Sequence, residues 1–164
     1  MKSKRNIKNL VIFICFTAFV VFFTTEYFKL KVPLEPPKLK IEVNGASFKA
    51  EKNGSTWVNP VMGSVGGNSS DLGGCILEKV KDIETIKVPR NSHIQLKLSN
   101  TKNIKSFSVK EAIGSDKDNY YMKDVEVQDY CIKAPDSLGN HVYQAYANWD
   151  SNHGVEFIFK VIVE

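Results

Sequence analysis

Strict alternation of apolar and polar residues near the end of the chain limits the possible folds more than any other feature. From residue 142 to residue 149, one face of an extended strand carries Tyr143, Ala145, Ala147 and Trp149. The opposite face carries Val142, Gln144, Tyr146 and Asn148. Polar residues 150–154 then predict a turn, and the alternation resumes over residues 155–163. The pattern predicts a β-hairpin with one face in the core and the other partly in solvent.

Shorter runs of the same kind precede this hairpin. Asn44-Gly45 lies between two of them and predicts a tight turn, because both central positions of such a turn need a positive φ. Residues 63–74 contain five of the ten glycines and predict a long loop. Further strands are predicted over residues 83–88, 93–98, 104–109 and 124–132, with turns over residues 114–119 and 134–139. We therefore expect an all-β domain, with the architecture of an immunoglobulin-like β-sandwich.

The N-terminal part of the chain has the features of an export signal. Basic residues precede an uncharged, mostly apolar run, which predicts a cytoplasmic tail over residues 1–8 and a transmembrane or signal-anchor helix over residues 9–28. The run ends without the small residues that a signal peptidase needs, which favours an anchor, but a cleaved signal is also open. The prolines of residues 29–38 predict an extended stalk, and residues 39–164 are the predicted extracytoplasmic domain. The chain is thus expected in the cell membrane as a single-pass protein, or secreted if the signal is cleaved.

The net charge of +4 does not indicate a nucleic-acid partner. Four basic residues at positions 1–8 account for all of it, and the basic and acidic residues of the remaining chain balance. A domain without a basic surface cannot hold a phosphate backbone by charge. We expect membrane contact through the N-terminal helix, and a protein or cell-envelope ligand for the domain.

The cysteines allow two interpretations. Cys75 and Cys131 are an even pair in the predicted extracytoplasmic part, and an oxidising compartment favours a disulfide between them. Two buried free thiols are the alternative. Cys15 lies in the apolar run and is interpreted as a small apolar residue.

Side chains that carry chemistry do not form a recognisable set. The three histidines have no carboxylate at metal-ligand spacing, and neither exported cysteine has the surroundings of an activated nucleophile. Asp116, Asp118 and Asn119 resemble part of a calcium loop, but Val127 stands where that loop needs its closing glutamate. We expect no catalytic site, cofactor or metal, and therefore a protein that is not an enzyme.

The order of these features resembles small, uncharacterised exported proteins of Gram-positive bacteria. The resemblance depends on the first strand running into Asn44-Gly45, on the stretch IKVPRNSHIQLKL, and on the final alternating hairpin. It implies a membrane-anchored β-sandwich and assigns no activity. A second resemblance, to chagasin-like inhibitors of cysteine proteases, depends on Asn59-Pro60 followed by Gly63, although Ala147-Asn148-Trp149 replaces the Arg-Pro-Trp of that family.

The main functional hypothesis is a non-enzymatic binding or interaction module. Aromatic and polar residues near predicted loops are the candidate contacts with a partner. A chagasin-like inhibitor and a cell-wall or glycan-binding module are the alternatives. For Trp57, the alternative is a position in the core at one end of the sandwich, with Trp149 packed on the hairpin. The candidate contact residues are Trp57, Asn59, Met62, Tyr120 and Tyr121.

Overall fold

The computed structural model describes residues 2–29, 32–61, 64–70, 76–114 and 119–164. The chain divides into two compact units, Met1–Lys31 and Val32–Glu164. The first contains one α-helix, α1 (Lys2–Lys29), and the second contains all of the β-structure.

Helix α1 confirms that the N-terminal segment is helical. Its apolar side chains between Val11 and Phe23 are exposed. Among the helices of the described residues, none combines the length and the apolar character needed to cross a lipid bilayer.

The smaller sheet of the second unit has four strands. They are β1 (Leu39–Val43), β2 (Ala46–Lys49), β6 (His93–Leu98) and β9 (Cys131–Lys133), in the order β2-β1-β6-β9 with antiparallel pairing. The predicted turn at Asn44-Gly45 joins β1 to β2 and is confirmed, since both residues have positive φ values of 50° and 83°.

The larger sheet is built around the predicted C-terminal hairpin. Its strands are β3 (Glu51–Val61), β4 (Ser64–Ser70), β5 (Thr85–Val88), β7 (Ser106–Gly114), β8 (Tyr120–Val125), β10 (Gly139–Asp150) and β11 (His153–Val163). Their order is β4-β3-β11-β10-β7-β8, and β5 adds in parallel along the second half of β11. The fold is therefore all-β in two sheets.

One hydrophobic core joins the inner faces of the two sheets. Leu39, Ile41 and Leu96 of the smaller sheet lie in the same buried cluster as Tyr143 and Phe157 of the larger one. A short helix, α2 (Ile76–Lys79), and the 3-10 turn Val80–Asp82 cover part of the opposite, outer face of the larger sheet. There a second buried cluster contains Ile76, Val80, Ala112, Val142 and Ile158.

Three predictions of local structure were wrong. Residues 64–70, predicted as loop, form β4, which is hydrogen-bonded to β3; residues 62–63 and 71–75 lie outside the described residues. Each glycine in a strand destabilises it by roughly 0.5–1 kcal/mol, and the ladder of backbone hydrogen bonds with β3 offsets this. The range 124–132, predicted as one strand, contains the end of β8, a connection and the start of β9. The strand predicted over residues 104–109 begins only at Ser106. The turn predicted over residues 114–119 lies mostly outside the described residues.

Residues 32–38 of the predicted stalk belong to the compact second unit, whereas Lys29 ends α1. Val32 packs against the core, and Pro33 and Pro37 are buried. The backbone N–H of Lys38 donates to Ser99 Oγ at 2.9 Å, and the Ser99 N–H donates back to the Lys38 carbonyl at 2.9 Å. Residues 32–38 are therefore an arm of the domain. Their contacts with the core replace the contacts with water that a free polyproline segment would make.

Candidate functional site

Trp57 is a core residue, and its predicted exposure to a partner was wrong. Only 4% of it is exposed, and its ring meets those of Trp149 and His153 edge to face, at centroid distances of 5.2 and 5.0 Å. The indole N–H of Trp149 donates to the Lys102 carbonyl at 2.8 Å. The alternative position in the core is thus confirmed, as expected for aromatic pairs that bury large apolar areas.

The other predicted contact residues that the structure describes lie on separate strands. Asn59 lies in β3, paired with Gly66, and Met62 lies outside the described residues. Tyr120 is half-buried against the outer cluster, whereas Tyr121 is 63% exposed on β8. Three strands separate β3 from β8, so Asn59 lies about 19 Å from the two tyrosines at the usual strand spacing.

A different surface of the larger sheet combines an exposed aromatic ring with hydrogen-bonding side chains. It lies on the outer face beside the part that α2 covers. Paired residues share a face of a sheet, and Tyr146 of β10 pairs with Ser108 of β7 and Glu156 of β11. We use the name open outer face for Ser108, Gln144, Tyr146, Asn148, Gly154 and Glu156; on the neighbouring strands the same face is bordered by Ser106, Lys110, Gly54 and Thr56.

Tyr146 lies along this face instead of standing away from it. Gly154 is its diagonal neighbour on β11, and a Cβ atom built on Gly154 would lie 2.7 Å from Tyr146 Oη and 3.3 Å from Cζ. The ring therefore occupies the space that any other residue at position 154 would fill. Because Tyr146 is still 45% exposed, its other side faces solvent.

A β-bulge near the end of the hairpin places Tyr146 beside these partners. The turn has two residues, Ser151 and Asn152, and a regular register from the Asp150–His153 pair would put Tyr146 opposite the core residue Phe157. The register shifts between Asn148 and Asp150, so Trp149 is the extra residue and Tyr146 pairs with Glu156. The bulge thus places outward residues of β10 opposite outward residues of β11, and core residues opposite core residues.

Glu156 is held in place by two amide side chains. Gln144 Nε2 donates to its Oε1 at 2.6 Å, and Asn53 Nδ2 donates to the same oxygen. The register of β3 against β11 shifts between Gly54 and Lys52, which makes Asn53 a bulged residue. A bulge redirects its side chain, and here it brings Asn53 onto Glu156. The buried Oδ1 of Asn53 has no partner among the described residues.

A second candidate site is a groove of about 400 Å³ beside β9, and Cys131 is one of the residues that line it. Cys131 Sγ lies 3.6 Å from His93 Nδ1, and an imidazole beside a thiol can accept its proton. Nucleophilic catalysis also needs a group that orients the histidine, and within the described residues no carboxylate hydrogen-bonds to His93. Cys131 forms no disulfide with another described residue. Cys75 lies outside the described residues, so the disulfide stays a prediction.

Two further histidines pair with carboxylates in structural positions. His141 Nδ1 lies 2.6 Å from Glu111 Oε1, and His141 Nε2 donates to the Ser137 carbonyl at 3.0 Å. Burial is the main cause that raises the pKa of Tyr143 well above its ordinary value, and the negative charge of Glu111 raises it further.

At the hairpin turn, His153 Nδ1 lies 2.7 Å from Asp150 Oδ1. Burial raises the pKa of Asp150, but hydrogen bonds from His153 and from the Asn152 N–H, with the charges of His153 and Lys105, lower it overall. These contacts stabilise the turn that joins β10 to β11.

No three His, Cys, Asp or Glu side chains of the described residues are grouped so that they could hold a metal ion. The calcium-like turn at Asp116 and Asp118 lies outside those residues.

The sequence pattern placed Gln144, Tyr146 and Asn148 on one face but did not identify them as a site. The available signal was the combination of an outward aromatic residue with a glycine across the hairpin. Comparisons with protein-family models, with curated proteins and with solved structures find no match to the chain.

Proposed function

We propose that this protein is a non-enzymatic binding module of the cell envelope, which holds its ligand on the open outer face of the larger sheet. The scaffold in this proposal is an immunoglobulin-like β-sandwich. The observation that carries it is Tyr146, an aromatic ring backed by Gly154 and surrounded by hydrogen-bonding side chains. Exposed aromatic side chains on a rigid support provide much of the binding energy at recognition surfaces.

The geometry of this face favours binding over catalysis. Its single carboxylate, Glu156, already accepts hydrogen bonds from Gln144 and Asn53. An acid–base mechanism needs a second titratable group within hydrogen-bonding reach of the same substrate atom, and the other titratable group among the named members of the open outer face is the Tyr146 phenol, which lies over Gly154. Amide, hydroxyl and aromatic groups remain, and these bind and orient a ligand.

We also propose that α1 directs the domain out of a Gram-positive cell. Basic residues precede its apolar stretch, Leu10 to Phe23, whose length falls within the roughly 7–15 residues of the hydrophobic region of an export signal. Flanking residues 24–28 extend this stretch if the helix serves as an anchor. The positive charge then keeps the N-terminus in the cytoplasm.

Protease treatment of intact cells tests the location. A C-terminally tagged full chain, produced in a Gram-positive host, should lose its tag when protease is added outside the cells. Phe16→Asp with Phe19→Asp should keep the tag protected, because charges in the apolar stretch block export. A wild-type tag that stays protected until the cells are lysed contradicts the proposed location.

Co-sedimentation with purified Gram-positive cell walls tests the function. The full chain in detergent should sediment with the walls, and Tyr146→Ala should reduce the bound fraction strongly. Tyr121→Ala is the matched control, since it removes a more exposed tyrosine from the same sheet, outside the open outer face. Equal binding by both variants contradicts the assignment of the site, and no binding by the wild type contradicts the function.

A further inference from the structure

We infer that the ligand of the open outer face is a neutral oligosaccharide and that Tyr146 stacks on one of its pyranose rings. The inference rests on the proposed function and names the chemical class of the ligand. It depends on the shape of the Tyr146 surface, on the side chains around it and on the charge of the face.

The shape comes from Tyr146 and Gly154. An aromatic ring that leans along a sheet offers a flat area, and its face carries the negative part of the ring quadrupole. The axial C–H groups of a pyranose form an apolar, weakly positive patch of similar size. Contact between the two buries apolar surface and aligns these charges. A tyrosine that stood away from the sheet would instead point its hydroxyl end at a ligand approaching from solvent.

The neighbouring side chains match sugar substituents. Gln144 and Asn148 lie two residues to either side of Tyr146 on the same face of β10, and Ser108 lies opposite Tyr146 on β7. Amides and hydroxyls both donate and accept hydrogen bonds, as sugar hydroxyl and acetamido groups do. Glu156 Oε1 accepts from Gln144 and Asn53, and a carboxylate has about four acceptor positions, so it can accept further from a sugar hydroxyl.

The charge of the face favours a neutral chain over an anionic polymer. Glu156 is its carboxylate and repels phosphate or uronate groups. Lys110 is a cation at the border of the face, opposite Gln144, and its Nζ lies 3.5 Å from Asp124 Oδ1 on β8. An anionic ligand would meet a carboxylate at the centre of the face and a lysine already paired at its border.

The width of the face suits more than one sugar ring. Ser108, Tyr146, Glu156 and Gly54 follow one another across four neighbouring strands. At the usual strand spacing this row is about 14 Å long. A β-linked chain with equatorial substituents can lie along it, with one ring over Tyr146 and the next over Glu156 or Ser108.

Titration of the full chain in detergent with chitohexaose, a neutral chain of β-linked N-acetylglucosamine, tests the inference by calorimetry. We expect Tyr146→Ala to weaken binding about tenfold or more, the range of aromatic stacking contacts. Tyr146→Phe should bind nearly as well as the wild type, because it keeps the ring. Tyr121→Ala should bind like the wild type, and Gly154→Ala should weaken binding because its Cβ displaces the Tyr146 ring.

The outcomes separate this inference from the proposed function. Binding of chitohexaose that requires Tyr146 and competes with cell walls supports both. Sedimentation with walls without any binding of chitohexaose overturns the neutral-oligosaccharide inference and leaves the binding function standing. Chitohexaose binding that is equal in the wild type and Tyr146→Ala overturns the stacking role. If the wild type binds neither walls nor chitohexaose, both proposals fail.

Discussion

Tyr143 and Tyr146 lie on the same strand, three residues apart, and differ in almost everything that the fold decides. Tyr143 points into the core, is 1% exposed and stacks on Phe159 with ring centroids 5.1 Å apart. Tyr146 points outward and leans over Gly154. The same type of side chain therefore packs in the core on one face of β10 and belongs to the proposed binding surface on the other. If the proposal holds, this strand separates stability from recognition by its two faces.

The largest effect should come from removing each ring in turn. Tyr143→Ala should lower the free energy of unfolding by about 3–5 kcal/mol, because it leaves a cavity in the core. Tyr146→Ala should change it by roughly 0.5 kcal/mol or less, as at other exposed positions. Urea denaturation of the full chain in detergent, followed by tryptophan fluorescence, measures both. Similar losses for the two variants would remove the distinction between the faces.

High pH should affect the inner face through Tyr143. The pKa of Tyr143 is raised in the folded protein, so the protonated phenol contributes stability that is fully present below the ordinary tyrosine pKa of about 10. Above that pH the unfolded chain ionises first and this contribution is lost. Tyr143→Phe should therefore lose less stability than the wild type between pH 9 and about pH 11. An identical decline in both proteins would contradict this role of Tyr143.

Gly154→Ala should disturb the outer face with a small effect on stability. The added Cβ meets the hydroxyl end of a flexible side chain, so the ring can move away, and we expect a loss of about 1 kcal/mol or less. The double variant with Tyr146→Ala should be no less stable than Tyr146→Ala alone, since the clash partner is gone. Thermal unfolding of the three variants measures this coupling. Additive losses would show that Tyr146 does not lie over Gly154.

The smallest effect should come from the turn that joins the two strands. The pKa of Asp150 is lowered in the folded protein, so its carboxylate contributes stability above the ordinary aspartate pKa of about 3.9. That contribution is lost as the pH falls below this value towards the folded pKa. Asp150→Asn should flatten the stability profile in this acidic range, as measured by urea titrations from pH 5 to about pH 2. An unchanged profile would exclude Asp150 as a source of acid sensitivity.

Sequence reasoning was most successful where the pattern is local. The alternation over residues 142–163 predicted β10 and β11 with the correct core face, and Asn44-Gly45 predicted the turn between β1 and β2. Both signals depend on the period of two in a strand and on the φ angles of a two-residue turn, which neighbouring residues alone determine.

It failed where distant segments decide the conformation. The glycines of residues 63–74 predicted a loop, yet Ser64–Ser70 is a strand because β3 supplies hydrogen-bonding partners along its length. For Trp57 the sequence left a partner contact and a core position open, and its packing against Trp149 and His153 decides for the core. In both cases the deciding partners come from another strand, so the sequence around each segment does not reveal the outcome.

By itself, the sequence determined that the domain is built from β-strands, which residues of the last hairpin face inward, and that Tyr146 shares a face with Gln144 and Asn148. Only the tertiary structure decided that Gly154 leaves room for the Tyr146 ring and that Asn53 and Gln144 hold Glu156. The reason is register: bulges at Trp149 and Asn53 set which residues meet across β10, β11 and β3. Such bulges arise from packing among three strands, whereas the direction of each side chain follows from its own strand alone.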